Sequence, residues 1–373
     1  MRAMRTPAIS VFVVVLLITG ACFAEAPAAA PAKLAAEARA VLDRNNAAAP
    51  PAVSIEFGRP RRVEASLAFV AAAPRMVAKA WTIVGPVPPV LASQRDITIE
   101  STPKAERGAE AAPPARPFLV WRITPAEDPP KKHVAIGITY SFELVPRTLA
   151  SKPPAGPVAP LSDAERVLFT APGGLADYES PALQAWLAER GLRPKAKETD
   201  VDFARRLFLD VKDSADFEYL DKMDRRASAV CKAMKSDCGG LTALFVAACR
   251  ANGIPARQLI GRWAESAEKD EKLHGHAWQK EHIKAEFFAA GVGWVPVDLS
   301  VAVDLDRRPG SLRHFGRDNA DFITMHVDPD VRVEMDGGRR TTTFLQEPVF
   351  TVRGTGTMAG AQARSDWEVK GKK

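Results

Sequence analysis

The stretch Ser236-Asp237-Cys238-Gly239-Gly240-Leu241-Thr242-Ala243-Leu244-Phe245-Val246-Ala247-Ala248-Cys249-Arg250-Ala251-Asn252-Gly253-Ile254-Pro255-Ala256-Arg257 is the most legible in the chain. Leu241, Leu244, Phe245 and Ala248 recur at i, i+3, i+4 and i+7, which predicts a helix with an apolar stripe. Ser236 and Asp237 are N-cap residue types, so Cys238 is expected in the first turn. Unpaired backbone N–H groups and the positive end of the helix dipole lie there. Gly253 and Pro255 end the helix, and Ala256–Gly261 then reads as a strand.

A thiol in that position is drawn toward thiolate, the form in which cysteine is nucleophilic. The same N–H groups could stabilise an oxyanion, and Gly239 and Gly240 would let another backbone approach closely. The bland alternative is a small buried residue or half of a disulfide. Cys249 lies too far along the helix from Cys238 to bridge to it, about 16 Å at 1.5 Å per residue. Cys231 could pair with either in an oxidising compartment. A redox role for Cys231 and Cys238 lacks the support of a Cys-x-x-Cys motif.

A base for the thiol is sought among six histidines: His133, His274, His276, His282, His314 and His326. Only His282 stands in a run with strand alternation, Ile283, Ala285 and Phe287 facing one way and His282, Lys284 and Glu286 the other. A second strand, Trp294-Val295-Pro296-Val297-Asp298, follows a glycine-containing loop. If Ala289-Ala290-Gly291 forms a three-residue turn, Phe288 faces Val292 and His282 falls directly opposite Asp298. A carboxylate beside an imidazole fixes its tautomer and stabilises the imidazolium. His276 is the rival base, and otherwise structural or substrate-lining. His274, His276 and His282 are also the material for a metal site, although no Cys or carboxylate pattern completes a zinc set, and no metal or other cofactor is expected.

Asp237-Cys238, its helix and Gly253-Ile254-Pro255-Ala256-Arg257 resemble the nucleophile segment of the transglutaminase-like thiol-enzyme superfamily. His282-x-x-x-Glu286 and Gly293-Trp294-Val295-Pro296-Val297-Asp298 resemble its His and Asp segments, in the expected order. The resemblance implies an α+β, papain-like core with the Cys helix packed on an antiparallel sheet. It implies a Cys238–His282–Asp298 triad acting on an amide or peptide bond by hydrolysis or acyl transfer. The family also contains inactive relatives, for which a binding or assembly role in the cell envelope is the alternative. Lys284 stands where an aromatic residue is frequent, Leu299-Ser300 where Pro-Thr is common, and Lys235-Ser236 where many members have Gly before Asp-Cys.

Working outward, residues 52–150 carry β-type runs at Val63–Val70, Trp81–Val84, Ile97–Ile99, Phe118–Ile123 and Val134–Leu144. They predict a β-sandwich upstream of the core, with Glu106–Pro117 as a long loop. Residues 160–308 read as the catalytic domain, starting with capping-box spacing at Ser162 and Glu165 and continuing through helical patterns near Pro181 and from Asp200. Residues 309–355 are expected as strands completing that core, and 356–373 as a polar tail. The Ala/Pro-rich residues 25–51 read as a tether with a short helix near Leu34–Leu42.

Composition narrows the partners. The chain has 373 residues, 46% hydrophobic and 26% charged, which fits a globular protein of more than one domain. Arg2 and Arg5, the apolar run Ala8–Ile18 and the small residues Gly20, Ala21 and Ala24 have the order of a secretory signal peptide. The run is shorter than the ~20 residues of a membrane span. Without Arg2 and Arg5 the net charge falls from +6 to +4, and no dense basic run flanks aromatic residues, so nucleic acid is not an expected partner. A protein or peptide substrate in the periplasm or outside the cell is. Cleavage after Ala24 fits better than lipid modification at Cys22. N-terminal sequencing of the exported protein should therefore start at Glu25; a chain starting at a modified Cys22 would contradict this.

Overall fold

The computed structural model describes residues 29–48, 51–111, 113–125, 132–220, 222–264, 272–273, 276–277, 281–335 and 338–370. The signal-peptide reading and Cys22 lie outside them. Among the described residues no helix is long and apolar enough to cross a membrane.

Two four-stranded antiparallel sheets form a β-sandwich. One runs in the order Gln362–Lys370, Arg61–Ala72, His133–Leu144 and Gln94–Thr102. The other runs Val349–Gly356, Met76–Pro86, Pro117–Ile123 and Glu106–Ala109. Alternation decides which face is inside: Val63, Ala65, Leu67, Phe69 and Ala71 point into the core, as do Ile136, Ile138, Tyr140, Phe142 and Leu144.

Some expectations are corrected here and others extended. Glu106–Ala109 is a strand paired with Pro117–Ile123, so the expected loop is shorter. Of the strands expected in 309–355, Phe322–Val327 joins the sheet under the Cys238 helix, whereas Val349–Gly356, and Gln362–Lys370 after it, close the sandwich instead of completing that core or forming a tail. Only Trp367 of the last strand is buried, which is why its sequence looks polar. The helix expected near Leu34–Leu42 is present and longer, Ala29–Ala48, and it docks on the helical region instead of lying in a free tether. Leu42 enters the core, Arg39 and Asn46 bond the buried Asp200 carboxylate, and Asn45 caps the carbonyls of Lys195 and Glu198.

The second region is α+β, as expected. A four-stranded antiparallel sheet runs Gly293–Val297, Glu281–Ala289, Ala256–Trp263 and Phe322–Val327. Helix Cys238–Arg250 packs on it, and every residue from Gly239 to Arg250 is buried. A helix covered on all sides must be small and apolar all round, so the predicted stripe understated its burial. Asp200–Ser214, capped by Thr199 and Asp202, and Ala227–Ala233 cover that helix.

The two regions are joined by satisfied polar contacts. The Gln94 side chain donates to the Thr324 carbonyl at 2.9 Å and accepts from its N–H at 2.8 Å, pairing the backbone of the edge strand Phe322–Val327 there. Trp367 Nε1 donates to the Trp263 carbonyl at 3.0 Å, and Arg61 to that of Ala320. Truncating Trp367 to Ala should cost about 3–5 kcal/mol in urea unfolding, because it opens a cavity in the sandwich core. A loss below about 1 kcal/mol would contradict the placement of the last strand.

Candidate active site

Cys238 is the first residue of its helix, as expected. Asp237 is the N-cap, its Oδ1 accepting from the Gly240 N–H at 3.2 Å while its Oδ2 accepts from Arg225 Nε at 2.7 Å. Gly240 is needed for packing: a methyl there would collide with the Ser236 side chain. Its expected role in admitting another backbone is therefore corrected; Gly239, walled by Arg225 and Phe344, is the glycine beside the sulfur's end of the helix. Burial pushes the Cys238 thiol well above its ordinary pKa, and the Asp237 and Asp298 carboxylates add to this. A backbone hydrogen bond from Ile283 and the charge of Arg225 work in the opposite direction. Cys231, Cys238 and Cys249 are all free thiols.

His282 and Asp298 meet. His282 Nε2 lies 3.1 Å from Asp298 Oδ1 and 3.0 Å from Oδ2, with both side chains buried. The route differs from the expected one. The turn is Ala290-Gly291-Val292, with the Val292 N–H bonded to the Ala289 carbonyl, and Ala289 faces Gly293. Gly291 and Gly293 both adopt positive φ, at 72° and 97°, whereas the expected turn used only one glycine. The register is shifted by two, so Asp298 sits diagonal to His282 instead of directly opposite. An even shift keeps both on one face, and the contact survives.

Asp298 also caps helix Leu299–Leu305. Its Oδ1 accepts from the Val301 N–H at 3.3 Å and from Ser300 Oγ at 3.4 Å, so the departure at Leu299-Ser300 still supplies a hydroxyl to the carboxylate. Burial alone would raise the Asp298 carboxyl. The charge and hydrogen bond of His282, with Lys284 and His314, outweigh it and hold the group well below the usual carboxylate range.

Of the groups around the pair, Trp263, Phe322 and Gln346 carry no sequence signal. Trp263 stacks on the imidazole at 4.3 Å between centroids, and Phe322 meets it edge-on at 5.9 Å. Gln346 donates to the carbonyls of Gly261 and His282. Lys284 is buried on the same face, with Nζ 2.8 Å from Asp321 Oδ1 and 3.8 Å from Asp298 Oδ2. Glu286, next along that face, is bound by Arg257 and Arg147. The motif residues Arg257 and Glu286 are therefore a buried ion pair across adjacent strands.

The backbone of His276 pairs with Leu273 in a short ladder. Its side chain and all of His274 lie outside the described residues, and with them the rival base and the His274–His276–His282 metal site. Among the described residues no group of three or more His, Cys, Asp or Glu side chains is arranged to hold a metal ion.

Residues 187–299 match the sequence model of the "Transglutaminase-like superfamily". The chain is 39% identical over 77 residues to an uncharacterized protein of Haemophilus influenzae, covering 17% of this chain and only 21% of that relative's length. A crystal structure of a candidate cysteine protease from Cytophaga hutchinsonii is similar in fold, with a TM-score of 0.51 at 13% identity over 85% of this chain and 92% of that one. The periplasmic domain of TgpA from Pseudomonas aeruginosa matches at a TM-score of only 0.32 and 13% identity, over 71% of this chain and 93% of that one. The Cys helix on its antiparallel sheet, the matched segment and the shared fold agree: this chain carries a domain of the transglutaminase-like superfamily.

Proposed function

We propose that the chain is an exported thiol enzyme that acts on amide or peptide bonds through Cys238, His282 and Asp298. The reading is carried by the buried contact of His282 Nε2 with both Asp298 oxygens. That contact commits one edge of the imidazole to the carboxylate and leaves Nδ1 for proton exchange with the thiol. Burial favours the neutral thiol of Cys238, so His282 is assigned as the general base during attack. The sulfur adds to the substrate carbonyl, the proton passes to His282, and His282 returns it to the leaving amine. The acyl group then leaves to water or to an amine. Water is the favoured acceptor, since it is abundant outside the membrane.

One observation favours a second reading. Burial and two nearby carboxylates also describe an inert thiol, as in a domain that binds or assembles without catalysing.

Incubation with a mixture of short peptides and peptide amides, read by mass spectrometry, separates the two. Turnover should fall by at least about a hundredfold in Cys238→Ala, His282→Ala and Asp298→Asn, with circular dichroism unchanged. An added primary amine distinguishes transfer from hydrolysis. Full turnover in Cys238→Ala contradicts the enzyme reading, and an unreactive thiol with no turnover of any peptide supports the binding one.

A further inference from the structure

Lys284 is a buried cation placed beside the proposed catalytic pair. Its ammonium is bonded to Asp321 at 2.8 Å and stands 3.8 Å from Asp298 Oδ2, the oxygen that also contacts His282. It lies 5.0 Å from the Trp263 ring and 5.1 Å from the Phe322 ring, the same two rings that clamp the His282 imidazole. Asp321 is the more accessible partner, its side chain 21% exposed. Side chains at i and i+2 of a strand share a face, so His282 and Lys284 act within one desolvated space.

We infer that the Lys284–Asp321 pair is an electrostatic extension of the His282–Asp298 dyad, and that it sets the pH at which the Cys238–His282 couple releases its first proton. The inference rests on the proposed thiol chemistry and deepens it by adding two positioning residues. Loss of a nearby positive charge makes proton release harder whichever group of the couple holds the proton; loss of a nearby negative charge makes it easier. Among the described residues, the other charges facing this space have partners of their own. Asp318 is held by Arg147, Asp237 by Arg225, Glu286 by Arg147 and Arg257, and Glu281 by Arg262. His314 acts on Asp298 from the segment after helix Leu299–Leu305. Burial lowers the Lys284 ammonium pKa, but Asp321, Asp318 and Asp298 together hold it raised, so the cation persists through the working range.

The test is the pH dependence of Cys238 alkylation by iodoacetamide in the full chain. The acid limb should move up by about one pH unit in Lys284→Met and down by about as much in Asp321→Asn, with the double variant close to wild type. Opposite shifts separate charge from packing, since a structural defect would slow both variants without moving the limbs apart. If Cys238 does not react even in wild type, the thiol reading fails on its own. NMR titration of His282 in Cys238→Ser then tests the pair independently, with the same two directions expected. Limbs or NMR midpoints that stay in place, or move together, overturn the inference. Should Lys284→Met not fold, Asp321→Asn alone decides it by the direction of its shift.

Discussion

The imidazole of His282 is fixed on three sides: by Asp298 at Nε2, by Trp263 stacked on its ring, and by Phe322 at its flank. Each contact comes from a different part of the chain. Asp298 arrives from the neighbouring strand's end, where it is held as the cap of the next helix. Trp263 ends the strand on the other side of His282, and Phe322 opens the strand beyond that. An imidazole held this firmly is already aligned for the proton exchange proposed for it. The buried charges along the same face, Lys284 and Glu286, are each matched by partners, as a desolvated ionic row requires.

The β-sandwich takes part in this constraint. Trp367, on the last strand, bonds the carbonyl of Trp263, and Gln94 completes the hydrogen bonding of Thr324, two residues past Phe322. The residues between Thr342 and Val349 run from a short hairpin back to the sandwich across the site. There Gln346 ties down the His282 carbonyl and Phe344 stands against Gly239. Sandwich and core are thus parts of one mechanical support, with the chain's C-terminal strands as the connection.

What could be read in advance follows from how local the determining physics is. The Cys238 helix is announced by its cap, its apolar spacing and its terminating glycine, all within one segment. The His282–Asp298 partnership was legible because face alternation is local, although the turn was misplaced by one residue and the register by two. The clamp was not legible: Trp263 and Phe322 reach His282 only after non-adjacent strands pair. Nor was the fate of Gln362–Lys370, whose outward residues hide the strand and whose partner lies some three hundred residues earlier in sequence. Of helix Ala29–Ala48 only a short piece near Leu34–Leu42 was legible, because alanine gives no pattern; Leu42, Arg39, Asn45 and Asn46 define its full length only through what they touch.

The claim that matters most is that Cys238, unlike the other two thiols, is coupled to a base. Cys231 and Cys249 are buried without such a partner assigned to them, so the three cysteines form an internal comparison. Peptide mapping after brief exposure of the folded protein to iodoacetamide at neutral pH measures this directly. The account predicts label on Cys238 alone, lost when His282 is replaced by Ala. Equal labelling of all three, or labelling of Cys238 that persists without His282, would contradict it.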